Sequence, residues 1–178
     1  MKSGKKIVKI GFDLDGVIVD KPFLIPKALL ERLSRGKQEN ELHYRYPKTK
    51  LERRIRKLSH FYLFRPPLRQ NINFIKDLKK QGCKLYLVSS RYSFLKRETM
   101  VWLEKRKLNN VFEKVFLNLN DKQPHLFKRE VLERLNLDYF FEDDKRIVDY
   151  LKKKISSAKI YLVNSKQLIP PVFKDVKA

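Results

Sequence analysis

Cysteine is almost missing from this chain: Cys83 is the only one in 178 residues. No intramolecular disulfide and no cysteine-cluster metal site can form, a usage that fits a reducing compartment. Long apolar runs are lacking too. None approaches the roughly 20 residues a membrane helix needs, and Lys9, Asp13 and Asp15 interrupt the first apolar stretch too early for a signal-peptide core. The histidines His43, His60 and His125 lie apart without ligand spacing, which predicts surface or loop positions and no histidine-bound metal. There is no internal repeat and no low-complexity tract. Acid is the remaining shortage, since 20 Asp and Glu stand against 42 Lys and Arg, a formal net charge of +22. Such an excess draws phosphate, whether on nucleic acid, nucleotide or membrane surface, or it is simply a basic solvated surface. Charge alone does not choose. These absences predict a soluble cytoplasmic protein with no membrane partner and leave its oligomeric state open.

What is present is enough to fold. At 42% hydrophobic and 12% aromatic residues, the composition is globular, and the length predicts one compact domain with a small insertion. Short β-branched or aromatic apolar runs predict five strands, at Lys6 to Phe12, Lys84 to Val88, Val111 to Leu117, Tyr139 to Phe141 and Lys159 to Val163. Helical patterns fall between them, at Asn71 to Lys80 with Gly82 as the stop, Ser93 to Lys107, His125 to Leu135 and Lys145 to Lys154. This alternation predicts an α/β fold, a Rossmann-like parallel five-stranded sheet flanked by helices, with ligand chemistry at the carboxyl ends of the strands. Residues 21–69 break the rhythm, bounded by Pro22 and by Pro66-Pro67. They read as a small helical cap inserted after the first strand, with helices near Ile25 to Leu33 and Leu51 to Phe64, on a core of residues 1–20 and 70–178. The tail after Gln167 reads as irregular.

The strand ends carry the polar residues. Asp13 and Asp15 leave the first strand together, with Gly16 able to turn sharply behind them. Two such carboxylates need a cation to offset their like charges, and an all-oxygen site suits Mg²⁺; the plainer alternative is an Asx-type turn of capping aspartates. The second strand delivers Ser89 and Ser90, the helix before the fourth delivers Lys128, and the fourth ends in Asp143 and Asp144.

This ordered set resembles the four motifs of the haloacid dehalogenase (HAD) superfamily of phosphatases. The matches are Asp13-Leu14-Asp15-Gly16-Val17, Ser89 after KLYLV, Lys128, and Asp143-Asp144 after YFFE, across residues 6–20 and 70–163. The resemblance implies a Mg²⁺-dependent phosphatase acting on a small phosphorylated substrate. Asp13 would be the nucleophile that forms an aspartyl-phosphate, and Asp15 the acid and base for the two half-reactions. Ser89 would bond a phosphoryl oxygen and Lys128 would neutralise charge on phosphate and nucleophile. Asp13, the Asp15 carbonyl and the Asp143-Asp144 pair would hold the metal. Lys122 is a rival to Lys128, though Lys128 sits in the helix that leads straight to YFFEDD. Ser90 would offer its backbone to the substrate, and Asp143 and Asp144 are not ranked. Arg91 would pin either a substrate or a carboxylate, while Asp20 closes a loop or caps a helix.

The small cap resembles that of the 5'-nucleotidase and deoxyribonucleotidase branch, which makes a nucleotide the expected substrate. Within it Arg45, Lys48, Lys50, Arg53, Arg54, Arg56 and Lys57 face one acid, Glu52, beside Tyr44 and Tyr46. Basic and aromatic residues together suit phosphate contact and base stacking, with Arg53 as a substrate-binding candidate. The alternative is a solvated amphipathic helix whose apolar side faces the core. A nucleic-acid-binding protein, or a phosphatase of nucleic-acid ends, therefore stands beside the nucleotidase.

Overall fold

The computed structural model describes residues 7–22 and 42–163. Five strands, β1 (Lys9–Phe12), β2 (Lys84–Tyr92), β3 (Lys114–Asn118), β4 (Tyr139–Glu142) and β5 (Lys159–Leu162), form one parallel sheet in the order β3-β2-β1-β4-β5. The described helices are α1 (Lys50–Ser59), α2 (Arg69–Lys80), α3 (Lys96–Lys105), α4 (Pro124–Leu135) and α5 (Lys145–Lys154).

Period-two alternation along the central strands sends side chains into two cores. Ile10, Phe12, Leu85 and Leu87 join Ile72, Ile75 and Leu78 of α2 and Trp102 and Leu103 of α3 on one face. Val88 and Phe140 join Phe127, Val131 and Leu132 of α4 and Ile147, Val148 and Leu151 of α5 on the other. Phe12 stacks on Phe141 at 5.2 Å between β1 and β4. Both faces are covered, as a parallel sheet requires. The chain runs outward from β1 through β2 to β3, then crosses back so that β4 and β5 build the other half. The carboxyl ends of β1 and β4 therefore flank the switch point, where an open α/β sheet leaves a crevice.

Local chemistry sets the boundaries. Pro124 opens α4, Asn136 closes it in the left-handed region at φ 47, and Gly82, at φ 86, follows the end of α2. The run from Ser93 begins as a 3₁₀ turn, Ser93–Leu95, before α3. β3 begins at Lys114 rather than Val111, and β2 continues past Val88 to Tyr92. Within that extension the pairing register slips between Ser89 and Tyr92. The slip is a bulge that lifts Ser90 and Arg91 out of the ladder.

The segment between β1 and α2 departs most from expectation. Of the two helices expected there, the one near 25–33 lies outside the described residues, as do Lys6 and the tail after Gln167. The other, α1, ends at Ser59 and is held by a capping box between Thr49 and Glu52. Its apolar side does not face the core: Leu51 is 67% exposed, Ile55 40% and Leu58 63%. Arg56 and His60 turn inward instead, toward the carboxylates at the sheet edge. The loop before α1 is fastened to the same edge, because Tyr44 Oη donates to Asp144 at 2.6 Å and Tyr46 Oη to Asp121 at 3.0 Å. No helix among the described residues is long and apolar enough to cross a membrane.

Candidate active site

The loop leaving β1 is tied on three sides. The Asp13 N–H donates to the Phe141 carbonyl at 2.9 Å, the Ile18 N–H to the Leu14 carbonyl at 3.0 Å, and Asn71 Nδ2 to the Val17 carbonyl at 2.6 Å. Gly16 sits at φ 74, and a Cβ built on it would collide with the Asp143 carboxylate. The glycine thus serves both the turn and the close approach of Asp143 to the loop. Asp20 caps no helix among the described residues: its carboxylate takes the Lys21 N–H at 2.7 Å, and its own N–H meets the Pro66 carbonyl at 2.9 Å.

One wall of the cavity is acidic. Carboxylate oxygens of Asp13, Glu142 and Asp143 lie within 4.8 Å of one another. Lys128 Nζ stands 3.1 Å from Asp13 Oδ2 and 2.5 Å from Glu142 Oε2, with its side chain 1% exposed. Burial opposes the ammonium charge, but Asp13 and then Glu142 overcome it and hold the lysine above its ordinary pKa. One cation for three acids is too few. Asp13 is pushed up to about 8, by burial first and then by Glu142 and Asp15, against the opposing pull of Lys128. Asp143 is raised by burial, Glu142 and Asp13. Both oxygens of Glu142 are engaged, since Oε1 accepts the Asp143 and Asp144 N–H groups at 3.1 and 3.0 Å. Glu142 therefore organises the wall, which leaves Asp13 and Asp143 as the donors best able to take a hard divalent cation. The all-oxygen set and its uncompensated charge fit Mg²⁺.

The opposite wall is cationic. Arg91 holds Asp15 with two bonds, Nε to Oδ2 at 2.7 Å and Nη2 to Oδ1 at 2.6 Å, and Arg65 Nη2 meets the same Oδ1. Burial would raise Asp15, but Arg91 and Arg65 win and hold it well below the usual carboxylate range. Each arginine is itself braced: Arg91 Nη1 lies 3.2 Å from Thr99 Oγ1, and buried Trp102 donates Nε1–H to the Arg65 carbonyl at 2.8 Å. His60 adds a neutral ring, because burial, then Arg91 and Arg65, push it well below its ordinary pKa. Its Nδ1 lies 2.8 Å from the Arg56 carbonyl, which can only accept, so the proton is on Nδ1.

Between the walls is a cavity of about 220 Å³ lined by Asp13, Asp15, Ser90, Arg91, Lys128, Asp143 and Asp144 together with Tyr44, Arg45, Arg56, His60 and Tyr92. Most residues expected at the site thus meet in one place. Ser89 is buried beneath it, 3.4 Å from the Arg91 N–H, while Ser90 faces the cavity. Lys122 pairs with Glu130 at 2.6 Å instead of reaching Asp13. Asp144 is the N-cap of α5, accepting the Arg146 N–H at 2.9 Å, and lies outside the Asp13, Glu142 and Asp143 cluster. Arg53 does not reach the cavity: its Nε donates to the Pro47 carbonyl at 3.3 Å and its guanidinium covers the Tyr46 ring at 5.2 Å. The proline-terminated loop ahead of α1 captures it. Sequence reasoning missed Glu142 and Arg65, took Arg56 only as part of the basic run and placed His60 on the surface or in a loop, whereas both line the cavity. Only Glu142 carried a signal, as the third acid in the run that closes β4.

No protein-family model matches the chain, and no curated protein does. Solved structures match over nearly its whole length. A single aspartate-to-alanine variant of a HAD-family enzyme from Bacteroides thetaiotaomicron, in complex with magnesium and inorganic phosphate, aligns at TM-score 0.61 and 14% identity, covering 94% of this chain and 99% of that one. The β-phosphoglucomutase of Pyrococcus sp. aligns at TM-score 0.53 and 18% identity, over 85% of each chain. A chain of an RNA repair complex aligns at TM-score 0.50 and 16% identity, over 89% of this chain and 43% of that one. The fold is that of the HAD-superfamily hydrolases.

Proposed function

We propose that this chain is a Mg²⁺-dependent phosphomonoesterase that works through a phosphorylated Asp13. The observation that carries the reading is the placement of Asp13 against Lys128 and Asp143 at the switch point of the sheet, with Asp15 across the cavity in the grip of two arginines. Mg²⁺ held by Asp13 and Asp143 would supply the positive charge that joins nucleophile and phosphate. Asp13 attacks phosphorus in line with the leaving oxygen, while Lys128 takes up charge on the transferring group and the bulged Ser90 backbone lies alongside. Asp15 as found is ionised, the state needed to draw a proton from water in the second half-reaction. The first half needs its protonated form. A substrate anion arriving beside Arg91 competes for the guanidinium group that holds Asp15 low, and so raises it toward protonation.

Residues 21–69 act in this reading as a small cap over the cavity, as in the 5'-nucleotidase-like branch. Tyr44 and Tyr92 give an aromatic wall suited to a nucleotide base. The unpaired, buried Cys83 fits a reducing cytoplasm. A second reading, phosphate removal from nucleic-acid ends, is favoured by the net charge of +22 and by the likeness in fold to a chain of an RNA repair complex. Both readings meet one experiment: phosphate release from nucleoside monophosphates, sugar phosphates, an aryl phosphate and 5'- or 3'-phosphorylated oligonucleotides, with Mg²⁺ or EDTA. Release is expected only with metal and is lost in Asp13→Asn. Silence across the panel, with tight salt-sensitive oligonucleotide binding, would reduce the chain to a nucleic-acid-binding scaffold.

A further inference from the structure

The two walls of the cavity are unequal in how completely their charges are matched. On the Asp15 wall, Arg65 and Arg91 both hold Asp15, and Arg45 is paired with Glu52. Arg56 lines the same cavity, and its side chain has no hydrogen bond or ion pair with any described residue. Burial weighs on its charge, and Asp15 and Tyr92 act on it only from a distance. A guanidinium at the end of a helix favours the dipole equally well when it points to solvent. The dipole therefore does not explain why this side chain turns into the cavity while Leu51, Ile55 and Leu58 take the water. A half-buried arginine turned into a cavity without a side-chain partner is held where an anion arrives.

Which anion follows from the position. A phosphoryl group that reacts with Asp13 lies against Lys128 on the acidic wall, and its leaving oxygen points to Asp15. Arg56 belongs to the Asp15 side: of the carboxylates that line the cavity, Asp15 is the one that acts on it most. The group that meets Arg56 is therefore carried by the leaving group. His60, one turn along from Arg56, keeps its proton on Nδ1 and leaves Nε2 as an acceptor, which suits a hydroxyl on that same leaving group.

We infer that Arg56 forms a second anion site, and that the preferred substrate is a phosphomonoester whose hydroxyl-bearing leaving group carries another phosphate. This rests on the phosphomonoesterase reading above. A nucleoside bisphosphate and a sugar bisphosphate share the chemistry, and matched pairs separate them.

The test compares adenosine 3',5'-bisphosphate with adenosine 5'-monophosphate, and fructose 1,6-bisphosphate with fructose 6-phosphate, in wild type, Arg56→Ala and Arg56→Lys. One pair is expected to show a preference for the bisphosphate of roughly 10- to 100-fold in kcat/KM, carried mainly by KM. Arg56→Ala is expected to erase most of that preference and Arg56→Lys to keep part of it. A wild type that treats both members of each pair alike overturns the inference, as does a preference that survives Arg56→Ala. Calorimetric binding of the same pairs to Asp13→Asn, with and without Arg56→Ala, reads the site without turnover. Arg56-dependent preference there, with no hydrolysis of any ester by wild type, would support the anion site and sink the phosphatase. Brisk hydrolysis of monophosphates with no bisphosphate preference in binding would do the reverse.

Discussion

Asp13 and Asp15 stand two residues apart on one loop, yet the two walls they belong to treat a carboxylate in opposite ways. The Asp13 wall has three acids to one ammonium, and Asp13 and Asp143 are pushed up. The Asp15 wall has one acid held by two guanidinium groups, and its carboxyl is pushed down. Both are fed by burial of the same sign, so the neighbours decide the outcome. The lesson is that a loop can be specified by a short motif while its electrostatics are written by distant residues, here Lys128, Glu142, Arg65 and Arg91.

The largest effect expected comes from breaking the acidic wall at its lone cation. Lys128→Met should lower kcat by roughly 100- to 1,000-fold, by analogy with the loss of other charge-stabilising groups. It should also cost about 3–5 kcal/mol of stability, because Asp13 and Glu142 are left buried without their partner. Equal denaturation midpoints for variant and wild type would mean that the lysine does not balance that wall.

Asp15→Asn tests the other wall. General acid and base catalysis contributes roughly 100- to 10,000-fold, so turnover of alkyl phosphates should collapse by about that much. Aryl phosphates, whose leaving groups need little protonation, should suffer far less in the first half-reaction. The variant also carries a stability signature. A carboxyl held below its unfolded value, near 3.9 for aspartate, stabilises the fold above about pH 4 and stops doing so as pH falls through its folded pKa. The stability gap between wild type and Asp15→Asn should accordingly be full at neutral pH and close in acid; a gap that widens in acid would contradict the clamp.

Mg²⁺ sharpens the comparison more gently. Binding to the folded acidic wall should raise Tm with metal concentration, by about 2.7 kcal/mol of stabilisation at a hundredfold excess over Kd. Asp143→Asn should remove most of that rise, and Asp15→Asn should leave it largely in place. The smallest effect belongs to the outward side of α1, where Leu58→Lys should change stability by no more than about 0.5 kcal/mol. A loss of several times that would show that the exposed leucine is covered.

The sheet was legible because its information is local. Apolar runs at β1, β2 and β4 end in Asp13, Ser89 and Glu142, and periodic helices separate them. Lys128 was legible from its place in the helix before YFFEDD. What stayed hidden depends on packing at a distance. Arg65 lies just before Pro66-Pro67 with no pattern of its own, and its meeting with Asp15 needs the carbonyl anchor from Trp102 on another helix. The direction of α1 was misjudged for a related reason. Its strong apolar stripe predicts an inward Leu51, Ile55 and Leu58, but the side that lines the cavity carries Arg56 and, just past the helix, His60. Arg53 was misplaced with it.

The strand order also governs how the chain must assemble. Because β1 lies at the centre of the sheet, its neighbours come from far along the chain; the Lys9 N–H that bonds Asp138 is separated from it by 129 residues. Contacts so remote are slow to close and expose an apolar central strand while they wait. During synthesis, the acidic wall cannot exist until Glu142 and Asp143 have left the ribosome. A nascent chain halted before β4 would hold Asp13 without the neighbours that set its charge, a form that chaperones or proteases would meet first.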